Sequence, residues 1–194
     1  AAVAHHRATG ENGMLEVATA FADHIDEVFG DEVDGVPGHE GIELALLRLY
    51  RVTDDERYLD LAEYFVGLRG HDDRLAWEIN SLDSIGGGQY GAPQHEPGED
   101  ITKMGKDLFC EDGVYDGSYA QAHAPVSEQM SIEGHAVRAM YLYSGVTDLV
   151  AETSDDELRE ALDRIWKNMT TKRMYITGGI GSAHEHEGFT EDYD

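Results

Sequence analysis

Three stretches of the chain repeat one pattern: an apolar helix, a short polar turn and a second, amphipathic helix. They are residues 1–25 (AAVAHHRATGENGMLEVATAFADHI), 44–69 (LALLRLYRVTDDERYLDLAEYFVGLR) and 139–169 (AMYLYSGVTDLVAETSDDELREALDRIWKNM). One such hairpin cannot bury its apolar face alone, so the repeat restricts the fold to stacked hairpins, an α/α toroid or a solenoid. The spacing supports this. Leu15, Ala18, Ala22, Ile25 and Phe29 recur three and four apart, as do Tyr58, Leu61, Ala62, Phe65 and Leu68, and again Leu158, Ala161, Leu162, Ile165 and Met169. The segments Ile42–Tyr50 and Ile132–Tyr143 are apolar over more of their circumference and are expected to be inner helices. Thr53 precedes Glu56 by three and Ser154 precedes Glu157 by three, the pattern of a capping box at a helix start. The expected class is all-α, with the hairpins stacked as an α/α toroid or a solenoid.

A complete toroid takes about twelve helices of ~10–15 residues, roughly twice what this length supplies. The chain is therefore expected to be an incomplete barrel of about three hairpins over residues 1–194, carrying a loop-rich insert at about 80–126. It opens without Met on a helical pattern, so an upstream part is expected to be missing. The insert includes SIGGGQYGAPQHEPGED, rich in Gly, Pro and acids, with residues 86–100 expected to be its most mobile part.

Charge narrows the partners. Forty acidic side chains against 14 basic ones give a formal charge of −26, a field that repels nucleic acid and anionic membranes. Arg outnumbers Lys ten to four and acids stud the polar faces, the surface expected of a protein from a salt-loving organism. The single cysteine, Cys110, excludes an internal disulfide within these residues. No run of 18 apolar residues and no signal-peptide pattern is present, and a cytoplasmic location is expected.

Several loops could carry chemistry. In SAHEHEG, His184 and His186 would share one side of an extended strand, a pair that could hold a divalent metal or simply be a solvated acidic loop. TGGIGS (177–182) lacks the ending of a phosphate-binding loop, and its glycines suit a tight turn. Two Gly-His pairs open inner helices: Gly38–His39 with Glu40, and Gly134–His135 with Arg138. In a toroid such loops crowd one mouth of the central hollow, where each histidine could bond a polar ligand or merely its own backbone. Tyr119, Gln121, His123 and Glu128 form an uncharged-to-acidic set without phosphate-binding cations, which suits a carbohydrate.

Three segments carry a family resemblance: VPGHEGIELALLRLYRVTDDERYLDLAEYFVGLRG (36–70), YAQAHAPVSEQMSIEGHAVRAMYLYSG (119–145) and KRMYITGGIGSAHEHEGFTEDYD (172–194). Together they resemble glycoside hydrolase family 127, whose members include β-L-arabinofuranosidases. The resemblance implies an (α/α)6 barrel followed by β-sandwich domains, and retaining hydrolysis at a zinc site with a cysteine thiolate as nucleophile and a glutamate as acid/base. That glutamate maps to Glu187, and His39 and His135 map to sugar-contacting positions. His123 and Gln121 are the further expected substrate contacts. The family usually has Gly at 186, Ala at 188 and an apolar residue at 191, where this chain has His, Gly and Glu. The zinc-binding glutamate and cysteines match nothing here, and Cys110 lies outside their motif. Zinc is thus expected in the full-length enzyme, no metal is expected on this chain, and the chain alone is expected to be inactive. Its partner is expected to be a carbohydrate, with self-association through exposed barrel faces.

Other readings stay open: another (α/α)6 sugar enzyme, such as a uronide hydrolase or an epimerase, or a helical-repeat interaction module.

Overall fold

The computed structural model describes residues 1–29, 35–71, 109–111, 114–184 and 186–194. Most of the expected insert, including residues 86–100, lies outside them. The described residues form three helical hairpins: α1 (Ala2–Thr9) with α2 (Gly13–Val28), α3 (Ile42–Thr53) with α4 (Glu56–Leu68), and α5 (Ala136–Thr153) with α6 (Asp156–Asn168). This is an all-α partial toroid, one of the arrangements that the repeat allows. The remaining ladder is a two-residue antiparallel pair, β1 (Cys110–Glu111) on β2 (Val114–Tyr115).

The second and third hairpins turn by one device. The hydroxyls of Thr53 and Thr153 bond back to the carbonyls of Leu49 and Leu149, at 2.9 and 3.0 Å. The next residue, Asp54 or Ser154, takes the left-handed conformation that ends a helix. One aspartate then caps the outer helix: Asp55 accepts from the Arg57 amide and Asp155 from the Leu158 amide. The expected capping boxes on Thr53 and Ser154 are therefore corrected. Thr53 is the last residue of α3 and Ser154 the C-cap of α5, so the outer helices are capped instead by the Asp that follows the left-handed residue, Asp55 after Asp54 and Asp155 after Ser154.

The core follows the periodicity. Leu46, Leu47 and Leu49 of α3 meet Tyr58, Leu61, Ala62, Phe65 and Val66 of α4, with Ala139, Leu142, Val146 and Leu149 of α5 on the other side. Phe29 stands edge-on to Phe65, their centroids 5.2 Å apart. Arg48 and Arg51 of α3 reach Asp148 of α5 at 2.9 and 2.8 Å, clamping the two inner helices. The inner helix of the third hairpin starts at Ala136, and Ile132 is buried in the loop before it. The first hairpin is looser, since α1 buries none of its residues and α2 buries only Ala22. Met14, Val17 and Phe21 of α2 and Trp166 of α6 stay exposed, leaving apolar surface open on the outer helices. No helix among the described residues is long and apolar enough to cross a membrane.

Candidate active site

The last twenty residues are docked. Helix α6 runs into a wider turn, Met169–Arg173, whose basic end is fastened to the chain terminus. Lys172 Nζ and Arg173 Nε donate to the two oxygens of Asp192 at 2.6 and 2.7 Å, and Asn168 adds a third bond at 3.1 Å. Those donors hold the Asp192 carboxyl well below the usual carboxylate range. Between these anchors the chain turns at Tyr175–Gly179 and returns against the start of α5.

The return strand is short and specific. Ala136 N–H donates to the Glu187 carbonyl and Phe189 N–H to the Gly134 carbonyl, both at 2.9 Å, bridging His135 to Gly188 antiparallel. An otherwise orphan amide in the first turn of α5 is thereby satisfied by the backbone of residue 187. Two glycines allow the approach. Gly134 has φ +71, and a Cβ there would lie 1.9 Å from the Ser118 carbonyl oxygen; a Cβ at Gly188 would lie 2.8 Å from the Gly134 oxygen.

His135 sits at the N-cap of α5. Its Nδ1 accepts from the Arg138 amide at 3.3 Å, which leaves the proton of the neutral ring on Nε2. Nε2 faces Glu187 Oε2 at 3.2 Å, so the imidazole donates to the carboxylate. The histidine side chain is mostly covered at 15% exposure, while Glu187 keeps 77% and opens to solvent. Tyr119 stands edge-on to the His135 ring at 5.4 Å, and its carbonyl accepts the His135 amide.

Arg138 links this corner to the other Gly-His turn. Its Nη1 donates to the Gly38 carbonyl at 2.5 Å and to Glu40 Oε2 at 3.3 Å, and its guanidinium lies 5.0 Å from the Tyr119 ring centre. Below lies a fully buried charge cluster. Arg69 reaches Glu40 at 3.1 Å and Glu43 at 3.2 Å, and also donates to the Ala120 and Pro37 carbonyls. Burial pushes the Glu40 carboxyl above the usual range, against the pull of Arg69 and Arg138.

The sequence-derived site residues fall into two groups. Glu187 and His135 are in direct contact. His39 is exposed and edge-on to Tyr141 at 5.9 Å; it lies in the turn before α3, whose N-cap is Gly41. Tyr141 stands six residues after His135 and three after Arg138, so both Gly-His turns meet the first turns of α5 within about 9 Å of helix axis, at 1.5 Å per residue. Gln121 is fully buried, and its amide nitrogen is spent on the carbonyls of Tyr119, Glu133 and His135. That makes it a strut under the site. His123 is half-buried, and burial pushes its pKa down, toward the neutral ring. His184 and His186 lie exposed in a turn, not on the extended strand that would pair them.

Sequence reasoning passed over Arg69 and Glu43. A signal existed: Arg69 extends the buried stripe of α4 four residues past Phe65, and Glu43 extends that of α3 three before Leu46. Among the described residues no three of His, Cys, Asp or Glu converge as a group that could hold a metal ion.

The chain matches the model of the β-L-arabinofuranosidase, GH127 catalytic domain over residues 1–194. It is 40% identical to the non-reducing end β-L-arabinofuranosidase of Bifidobacterium longum subsp. longum, over all of this chain and 27% of that protein. The crystal structure of a GH127 β-L-arabinofuranosidase from Geobacillus stearothermophilus T6 superposes with a TM-score of 0.76 at 38% identity, covering 100% of this chain and 27% of that one. A further solved GH127 β-arabinofuranosidase gives 0.73 at 35%, covering 100% and 24%. The chain thus spans about a quarter of the length of the relatives it matches. With the match running from end to end, the chain belongs to the GH127 β-L-arabinofuranosidase catalytic-domain family.

Proposed function

We propose that these residues supply the acid/base side of a retaining glycosidase acting on β-L-arabinofuranosides. One observation carries the reading: the bridge between His135 and Gly188 sets the Glu187 carboxyl against a helix-start histidine while leaving it open to a ligand. In this role Glu187 gives its proton to the glycosidic oxygen as the bond breaks, then takes one from the water that completes hydrolysis. His135 holds the carboxyl group by its Nε2–H, and the exposed ring of His39 offers its nitrogens to sugar hydroxyls. Gln121 acts beneath them by tying the carbonyls of 119, 133 and 135 together. The nucleophile, and the zinc that the family resemblance implies, are assigned to residues other than those described. The −26 charge fits a protein adapted to high salt, and the exposed apolar faces fit contact with further helices or a second copy.

The test is Glu187→Gln in the full-length protein, assayed on two arabinofuranosides. With a poor leaving group kcat/KM should fall about 10²–10⁴-fold. With a strongly acidic phenol, which departs without protonation, the loss in the bond-breaking step should be much smaller. Equal activity of the variant and the parent on both substrates would remove Glu187 from the chemistry.

A further inference from the structure

The Arg138 side chain does something that neither its helix nor the sugar reading requires. It lies at the third residue of α5, next to the helix start, and could have pointed into solvent. Instead it is 15% exposed, with Nη1 on the Gly38 carbonyl at 2.5 Å and on Glu40 Oε2 at 3.3 Å. Its guanidinium lies 5.0 Å from the centre of Tyr119 and 5.5 Å from that of Phe109. Tyr119 in turn flanks the His135 ring, and the Arg138 amide is the donor that occupies His135 Nδ1. One residue therefore touches both Gly-His turns: by its side chain the turn holding His39, and by its amide and the Tyr119 ring the histidine that faces Glu187.

We propose that Arg138 is a positioning residue that holds the two Gly-His turns in register and keeps His135 in its Nε2–H form, aimed at Glu187. The inference rests on the glycosidase reading only for its kinetic consequence. The ring geometry stands apart from any substrate. A planar guanidinium suits the task because one face stacks on the aromatic ring while its edge bonds a carbonyl and a carboxylate. Lysine would keep the charge beside Glu40 but lose the stacking. Methionine would lose both, leaving Tyr119 free to tilt and the His135 ring held by its two hydrogen bonds alone, without the packing that fixes its orientation.

The test uses Arg138→Lys and Arg138→Met in the full-length protein, with two readouts. The first is the ¹⁵N spectrum of the histidine rings, with His135 assigned from His135→Asn. The parent should show His135 as a single Nε2–H tautomer, and Arg138→Met should show a mixture. The second is kinetics on an aryl arabinofuranoside. Displacing an acid/base pair by about 1 Å is worth on the order of 100-fold, so kcat should drop about 10- to 100-fold with KM changed much less. Arg138→Lys should lie between, and added guanidinium ion should restore part of the activity of Arg138→Met. If Arg138→Met fails to fold, Arg138→Lys, which keeps the buried charge, decides through the same two readouts. His135 signals and kcat within twofold of the parent in a folded variant would overturn the proposal. A shifted tautomer in a protein whose parent hydrolyses no arabinofuranoside would uphold the positioning and sink the glycosidase reading instead.

Discussion

Replacing Arg69 by methionine probes the least expected part of the fold. Arg69, Glu40 and Glu43 are all fully buried, and the guanidinium makes four bonds: two to those carboxylates and two to carbonyls. Methionine fills similar volume, so packing loss is small and the cost is electrostatic. Two carboxylates would remain inside the protein, Glu40 with Arg138 at 3.3 Å and Glu43 with the Gly41 amide at 3.0 Å. Breaking a buried ion pair by removing one partner costs about 3–5 kcal/mol. The remaining partners place this case near the lower end, at about 3 kcal/mol.

The pH dependence gives a sharper test. The folded-state pKa of Glu40 is already raised, because burial outweighs its two arginines. A raised pKa means tighter proton binding when folded. Stability from this group is then complete below the unfolded carboxyl value of about 4.3 and is lost as pH rises through the folded value. Without Arg69 the largest opposing pull disappears and the folded value climbs further. The deficit should therefore be largest near pH 8 and shrink toward pH 5, as read from urea midpoints of variant and parent in molar salt. Adding Glu40→Gln to the variant should recover part of the loss at the higher pH. A deficit below about 1 kcal/mol, or one equal at both pH values, would refute the reasoning.

Other perturbations test the remaining supports. Gly134→Ala adds a methyl 1.9 Å from the Ser118 oxygen at a φ of +71, so it should cost more than about 2 kcal/mol and lower thermal stability visibly. Asp192→Asn removes the charge that holds Lys172 and Arg173, and limited proteolysis should cut the 175–191 stretch faster than in the parent. Since the Asp192 pKa is lowered on folding, the parent keeps this contribution above about pH 4 and loses it as pH falls further, a loss the variant should not show. Raising potassium chloride from low to molar levels should raise the melting temperature, by screening a net charge of −26. A melting temperature that falls with salt would contradict the assignment of that surface to a high-salt setting.

The hairpins were legible in the sequence because helical burial is periodic. Leu61, Ala62 and Phe65, or Ala161 and Ile165, announce one face of a 3.6-residue turn wherever they occur. Helix ends were read less well. Thr53 and Ser154 satisfied a local cap rule, yet both were taken up in ending the inner helices, and the caps fell two residues later at Asp55 and one later at Asp155. Local rules rank neighbouring candidates poorly when several Ser, Thr and Asp residues stand together. The cluster of Arg69 with Glu40 and Glu43 was missed, since a charge on an apolar stripe reads as an interruption until its partners are seen.

The site shows the same division. The Gly-His pairs singled out His135 and His39 as chemically capable groups, the family resemblance added Glu187, and a run of glycines marked where backbone must turn or approach closely. Spacing could not tell that Gln121 would be sealed beneath the surface with its amide nitrogen committed to carbonyls. Nor could it tell that a segment 52 residues from His135 would bond to the first turn of α5. Periodicity and composition are properties of neighbours along the chain, and they determined the helices, their buried faces and the acidic exterior. Which carboxylate meets which histidine depends on long-range backbone pairing and on the volume excluded at Gly134 and Gly188, and only the assembled tertiary structure decides that.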